Sequence, residues 1–87
     1  MDNLTPQSSS PEELRMRIQE IVAEAIQAPP DMVTPDLAFG DLPQWDSLGH
    51  MEVMMMLEQH FGVEINADTI AQLVSIPEIY TYVSAVR

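Results

Sequence analysis

From Leu14 onward, apolar residues recur at three- and four-residue intervals as Leu14, Ile18, Ile21, Val22, Ala25 and Ile26, with Arg15, Arg17, Gln19, Glu20 and Glu24 between them. That spacing predicts an amphipathic helix burying one face. Ser10-Pro11-Glu12-Glu13 stands ahead of it: a hydroxyl cap, a proline at the first helical position where no amide bond is lost, and a glutamate at the third. Pro29 and Pro30 are expected to end the helix. A second helical pattern opens at Asp46 and Ser47 and runs to about Phe61, with Gly62 suited to the left-handed position beyond its end. Asn66 is placed to cap a short helix through Leu73. Ser75-Ile76-Pro77-Glu78 repeats the opening arrangement and starts a last helix whose apolar stripe is Ile79, Tyr82, Val83 and Val86. No run keeps the strand period long enough to compete, Gly62-Val63-Glu64-Ile65 being too brief. The pattern predicts an all-α bundle of three longer helices and one short one.

Between the first two helices, from Pro29 to Asp46, the apolar residues Met32, Val33, Leu37, Phe39, Leu42 and Trp45 show no sustained period, and Pro35, Gly40 and Pro43 interrupt them. A partly buried loop of this length is uncommon in a compact domain and more often functional than not. The helix that follows carries more apolar surface than one core contact needs. Val53, Met54, Leu57 and Phe61 gather on one side at 100° steps, while Leu48, Met51 and Met55 form a second stripe on nearly the opposite side, flanked by Glu52, Glu58 and Gln59. The second stripe is either covered by the loop and the short helix or exposed for docking, a role that methionine suits because it adapts to differing partners.

Composition narrows the function. Eighty-seven residues leave room for one domain. Residues 1–9 are small and polar and are expected to be a mobile tail, with the domain at 10–87. Fourteen acids against three arginines and no lysine give a formal charge of -11, which repels nucleic acid and anionic lipid and favours encounter with basic protein surfaces. With no cysteine, disulfides, thiolate metal ligands and thiol nucleophiles are absent from the chain itself. Met1 to Glu13 has neither the basic stretch nor the apolar run of a secretory signal, and no window reaches the 18 or so apolar residues of a membrane span. A cytoplasmic monomer is expected.

At the loop–helix junction lies Gln44-Trp45-Asp46-Ser47-Leu48-Gly49-His50. Local spacing allows two readings of Asp46-Ser47: a helix cap, or a hydroxyl presented for modification where the helix dipole favours an attached phosphate. A hydrolytic arrangement of Asp46, Ser47 and His50 is disfavoured, since near neighbours on one helix do not supply an oriented base and an oxyanion site. His50 reads instead as a surface or loop-packing residue, and Trp45 either as filler beneath the loop or as cover for whatever Ser47 carries. No metal site is expected: His50 and His60 lie ten residues apart on one helix, about 280° of rotation on from each other, and no calcium-loop pattern occurs.

Asp46-Ser47-Leu48, followed by Met51, Glu52, Met55, Leu57, Glu58, Phe61, Glu64 and Ile65, resembles the acyl carrier protein family, whose aspartate-serine-leucine motif carries 4'-phosphopantetheine on the serine. The likeness extends from residue 12 to residue 86 through Val33-Thr34, Phe39 and Tyr82, with no insertion. Trp45 and Gly49-His50 resemble stand-alone carriers outside housekeeping fatty acid synthesis. Gly49 and Gln59 stand where fatty-acid carriers have acids, Pro43-Gln44-Trp45 replaces a glycine before the motif, and Met56 stands where small residues are common around an internal acyl pocket.

The resemblance implies an acyl-carrier-like four-helix bundle that is a carrier and not an enzyme. It implies that Ser47 takes 4'-phosphopantetheine from coenzyme A, with Asp46 as the motif's helix cap, so that the arm imports the thiol this chain lacks and holds an acyl intermediate as a thioester. Leu48, Met51, Glu52, Met55 and Glu58 match the positions by which such carriers dock on partners. Implied partners are a holo-acyl-carrier-protein synthase or other phosphopantetheinyl transferase, an acyl- or aminoacyl-loading ligase, and a downstream acyltransferase or synthase, in a specialised biosynthetic pathway. Alternatives are an aminoacyl or peptidyl carrier of the same fold, or an unmodified acidic helical adaptor using the same stripe.

Overall fold

The computed structural model describes residues 11–86, with side chains to residue 85. The 1–9 tail and the Ser10 cap expected from the sequence lie outside the described residues. Four α-helices follow in chain order: α1 Pro11–Ile26, α2 Ser47–Phe61, α3 Ala67–Gln72 and α4 Ile76–Val86. Among the described residues there is no strand, only an isolated antiparallel bridge between Ala38 and Ser75. Three longer helices and one short one match the predicted all-α bundle.

The expected apolar face of α1 is buried, from Leu14 through Ile18, Ile21 and Val22 to Ala25 and Ile26. Its end differs from expectation. The helix stops at Ile26, before the prolines, because Gln27 adopts the left-handed conformation with φ 58°. The Gln27 amide then reaches the Glu24 carbonyl at 3.3 Å and the Ala28 amide reaches Ala23 at 2.9 Å, the paired bonds of a Schellman turn. The chain thus satisfies the last carbonyls of α1 without the glycine that normally marks this stop. Pro30 opens a single 3-10 turn, Pro30–Met32, within the segment expected to lack periodic structure.

The loop is fastened at both ends. The Gln19 side-chain amide donates to the Val33 carbonyl at 2.8 Å. Further on, the Phe39 amide donates to Val74 at 2.8 Å and the Ile76 amide to Leu37 at 2.9 Å, so the loop lies antiparallel to the chain entering α4. Val33, Leu37 and Trp45 are buried along it.

Helix α3 has a reciprocal cap: Asn66 Oδ1 accepts from the Thr69 amide at 3.0 Å, and Thr69 Oγ1 accepts from the Asn66 amide at 2.8 Å. At the start of α4 the Ser75 hydroxyl accepts from the Glu78 amide at 3.3 Å and donates to the Glu78 carboxylate at 3.0 Å, the cap read from the sequence.

α1 packs against α2 and α4, and α3 packs against α2. Their shared core contains Ile18, Val22, Val53, Met54, Leu57, Leu73, Ile76, Ile79 and Val83, all fully buried, with Met56, Phe61 and Tyr82 partly buried around it. Arg15 lies over the Tyr80 ring at 5.2 Å and Arg17 over the Phe61 ring at 5.7 Å, cation–π contacts that tie α1 to α4 and α2.

Gly62 closes α2 in the left-handed region at φ 67°, its amide donating to Glu58 at 2.9 Å. A Cβ there would meet nothing within 4 Å, so Gly62→Ala should cost only backbone strain, about 1 kcal/mol, read as a lower urea midpoint with an unchanged slope.

Candidate functional site

The junction that presents Ser47 is built by four interlocking local contacts. The Trp45 amide donates to Leu42 at 3.0 Å, and the Trp45 carbonyl accepts from Gly40 at 3.2 Å, which turns the loop tightly before the helix. Asp46 is the N-cap of α2, its carboxylate accepting from the Gly49 amide at 2.9 Å while its carbonyl accepts from His50 at 2.8 Å. The cap is therefore the aspartate, which leaves the neighbouring serine hydroxyl without that duty.

Ser47 is the first residue of α2 and is exposed, as are its neighbours Asp46 and Leu48. Among the described residues no group forms a hydrogen bond with the Ser47 hydroxyl. Gly49 explains the absence of a larger residue there: a Cβ at this position would fall on the Gln44 carbonyl oxygen and lie 3.3 Å from the Ile26 side chain. Glycine at this position is a packing requirement of the tight turn beneath Ser47.

The sequence places Trp45 and His50 near the candidate residue, with burial of Trp45 under the loop as one of two readings. Both are inside. Trp45 is fully buried and His50 nearly so. The Trp45 indole donates to His50 Nδ1 at 3.1 Å, His50 Nε2 lies 2.8 Å from the Ile70 carbonyl, and the Phe39 ring meets the imidazole edge-on at 5.4 Å. Trp45 therefore fills the space under the loop and does not cover Ser47 from outside. Both ring nitrogens of His50 are engaged away from Ser47, so the imidazole is not placed as its base, which agrees with the disfavoured hydrolytic reading. Phe39 and the Ile70 carbonyl are members of this site that sequence reasoning missed. A buried indole needs an acceptor, which was a usable signal for His50, whereas nothing in the sequence distinguishes one backbone carbonyl.

Helix α2 divides as its two stripes suggested. Val53, Met54 and Leu57 are buried, while Leu48 is 80% exposed, Met51 42% and Met55 49%. Glu52 and Glu58 are exposed beside them, and among the described residues neither forms an ion pair, the two described arginines lying over aromatic rings instead. The face is apolar along its middle with uncompensated negative charge at its sides. No cluster of metal-ligating side chains occurs among the described residues, and no described helix is long and apolar enough to cross a membrane.

The family described as "Phosphopantetheine attachment site" matches residues 17–83, a span that includes this whole junction. The chain is 35% identical over 72 residues to an acyl carrier protein of Rubrobacter xylanophilus, covering 83% of this chain and 89% of that one. The chain belongs to the acyl carrier protein family. It is also 34% identical over 67 residues to an acyl carrier protein of Zymomonas mobilis, covering 77% of this chain and 86% of that one. With the meromycolate extension acyl carrier protein of Mycobacterium leprae it shares 32% identity over 72 residues, 83% of this chain and 63% of that one.

Acyl carrier proteins are carriers, not enzymes, and bear a covalently attached 4'-phosphopantetheine; as a family they work with phosphopantetheinyl transferases and acyl-handling enzymes. The residues present fit that group. An exposed hydroxyl stands at the start of a fifteen-residue helix, where first-turn amides and the helix dipole favour a phosphodiester.

Gly49→Ala should destabilise the fold by roughly 1–3 kcal/mol, the range of overpacking against atoms that cannot yield, since the obstructing atom belongs to the backbone. The denaturation midpoint measures it, and a wild-type midpoint would contradict the close approach of Gln44.

Proposed function

We propose that Ser47 is the residue to which 4'-phosphopantetheine is attached, and that the protein holds an acyl intermediate for enzymes of a specialised biosynthetic pathway in the cytoplasm. What supports Ser47 most is its setting: an exposed hydroxyl at the first position of α2, relieved of capping by Asp46. When bound, the group supplies a terminal thiol able to hold an acyl chain as a thioester.

The chain's own residues do the rest. Asp46 holds the first turn of α2 in shape, so the backbone that carries the serine keeps one position as a transferase approaches. Leu48, Met51 and Met55 offer the apolar contact, and Glu52 and Glu58 attract and orient a basic partner surface. A holo-acyl-carrier-protein synthase or related transferase would act first, then an acyl-loading ligase, then an acyltransferase or synthase. Support for a dedicated pathway comes from Trp45 and Gly49, whose departures from the fatty-acid pattern are built into the packing under Ser47.

Incubation with coenzyme A and a promiscuous phosphopantetheinyl transferase should add one phosphopantetheine unit to the intact mass of the wild type and none to Ser47→Ala. An unmodified wild type would overturn the assignment.

Glu52→Lys should slow this loading by about 3- to 10-fold at low ionic strength and far less at about 0.5 M salt, where the Debye length falls below about 5 Å. Equal rates at every ionic strength would remove the steering role.

A further inference from the structure

Both nitrogens of His50 have partners whose roles are chemically fixed. An indole nitrogen only donates, and a carbonyl oxygen only accepts. Nδ1, 3.1 Å from Trp45 Nε1, must then be the bare nitrogen, and Nε2, 2.8 Å from the Ile70 oxygen, must carry the hydrogen. The arrangement exists for the neutral imidazole alone. Protonation would put a hydrogen on Nδ1 facing the indole N–H, and two buried donors cannot share one site.

The contacts also have a mechanical meaning. α3 has six residues, too few to be stable without tertiary contacts. The Ile70 carbonyl lies in its last turn, where no intrahelical donor follows, because the Val74 amide turns back to Gln72 at 3.0 Å. The imidazole supplies the missing donor. Its other partner, Trp45, is two residues before Ser47, and the His50 backbone amide bonds to the Asp46 carbonyl.

We propose that neutral His50 is a positioning residue, clamping the turn that presents Ser47 onto α3 through Trp45 and the Ile70 carbonyl, and that acid releases this clamp. The proposal rests on Ser47 being the attachment residue for its functional consequence, though not for the clamp itself. From the loop the imidazole meets the Trp45 indole and the Phe39 ring, and from α3 the Ile70 carbonyl. The carboxylates on the surrounding segments, Asp36, Asp41, Asp46, Glu52 and Asp68, are all exposed. Asp41 and Asp46 are engaged with the Ala38 and Gly49 amides. Among the described residues none forms an ion pair with His50, so no carboxylate is in place to hold an imidazolium there. A proton that binds His50 only once the clamp is open must favour the open form as pH falls.

The chain has one tryptophan and two histidines, which makes the test direct. The full-length protein, labelled with nitrogen-15, gives one indole N–H resonance. Lowering the pH through the interval in which the His50 ring signals report protonation should remove the indole N–H's protection from solvent exchange, in the wild type and in His60→Gln alike. Loading by the transferase, taken relative to His50→Gln at each pH, should fall about tenfold over the same interval, equivalent to ~1.4 kcal/mol.

An indole signal that stays protected while His50 titrates would overturn the clamp even if His50→Gln fails to fold. A loading profile identical in His50→Gln would overturn its positioning role. A wild type that gains no mass at any pH would instead count against Ser47 as the attachment residue, and the indole titration would still decide the clamp.

Discussion

A buried indole requires an acceptor for its N–H, and the way Trp45 meets that requirement organises the functional end of the molecule. With Trp45 fully enclosed and bonded to His50, the last residues of the loop have one place to go. Asp46 then arrives at the start of α2 with its carboxylate over the Gly49 amide, and Gly49 can approach the Gln44 carbonyl because it has no side chain. Ser47 is left outside. Its exposure follows from what its neighbours bury.

Helix α2 serves two environments at once, and the division has an electrostatic side. Val53, Met54 and Leu57 join the core, while Leu48, Met51 and Met55 remain outside. Such an exposed apolar row would favour self-association on a neutral surface, but Glu52 and Glu58 flank it on a chain of formal charge -11. Like charge opposes approach of a second copy and favours a basic partner. Arg15 and Arg17 leave that field intact, since both lie over aromatic rings of the bundle.

The length of the loop lets it join distant elements. Gln19 holds it to α1 through Val33, and Phe39 and Leu37 bond to the chain that enters α4. Its buried Val33, Leu37 and Trp45 contribute to the same core as the helices. The absence of a period in this segment has the same origin, since its residues are buried singly, wherever the path crosses the bundle, and no repeating interval arises.

Much of this was legible in the residues alone. The spacing in α1 and α2, the caps at Asp46, Asn66 and Ser75, and Gly62 beyond α2 depend on neighbours within one helical turn, so they can be read without knowing the fold. The stop at Gln27 was hidden because a non-glycine residue takes the left-handed position there, and Ile70 was hidden because a backbone carbonyl has no sequence signature. Sequence by itself determined the helices, their order and the two apolar stripes of α2. Only the tertiary structure decided which stripe lies outside and that Trp45, His50 and the Ile70 carbonyl form one hydrogen-bonded chain. Those outcomes depend on contacts such as His50 with Ile70, twenty positions apart, and local preference carries no information about a partner that folding brings from elsewhere.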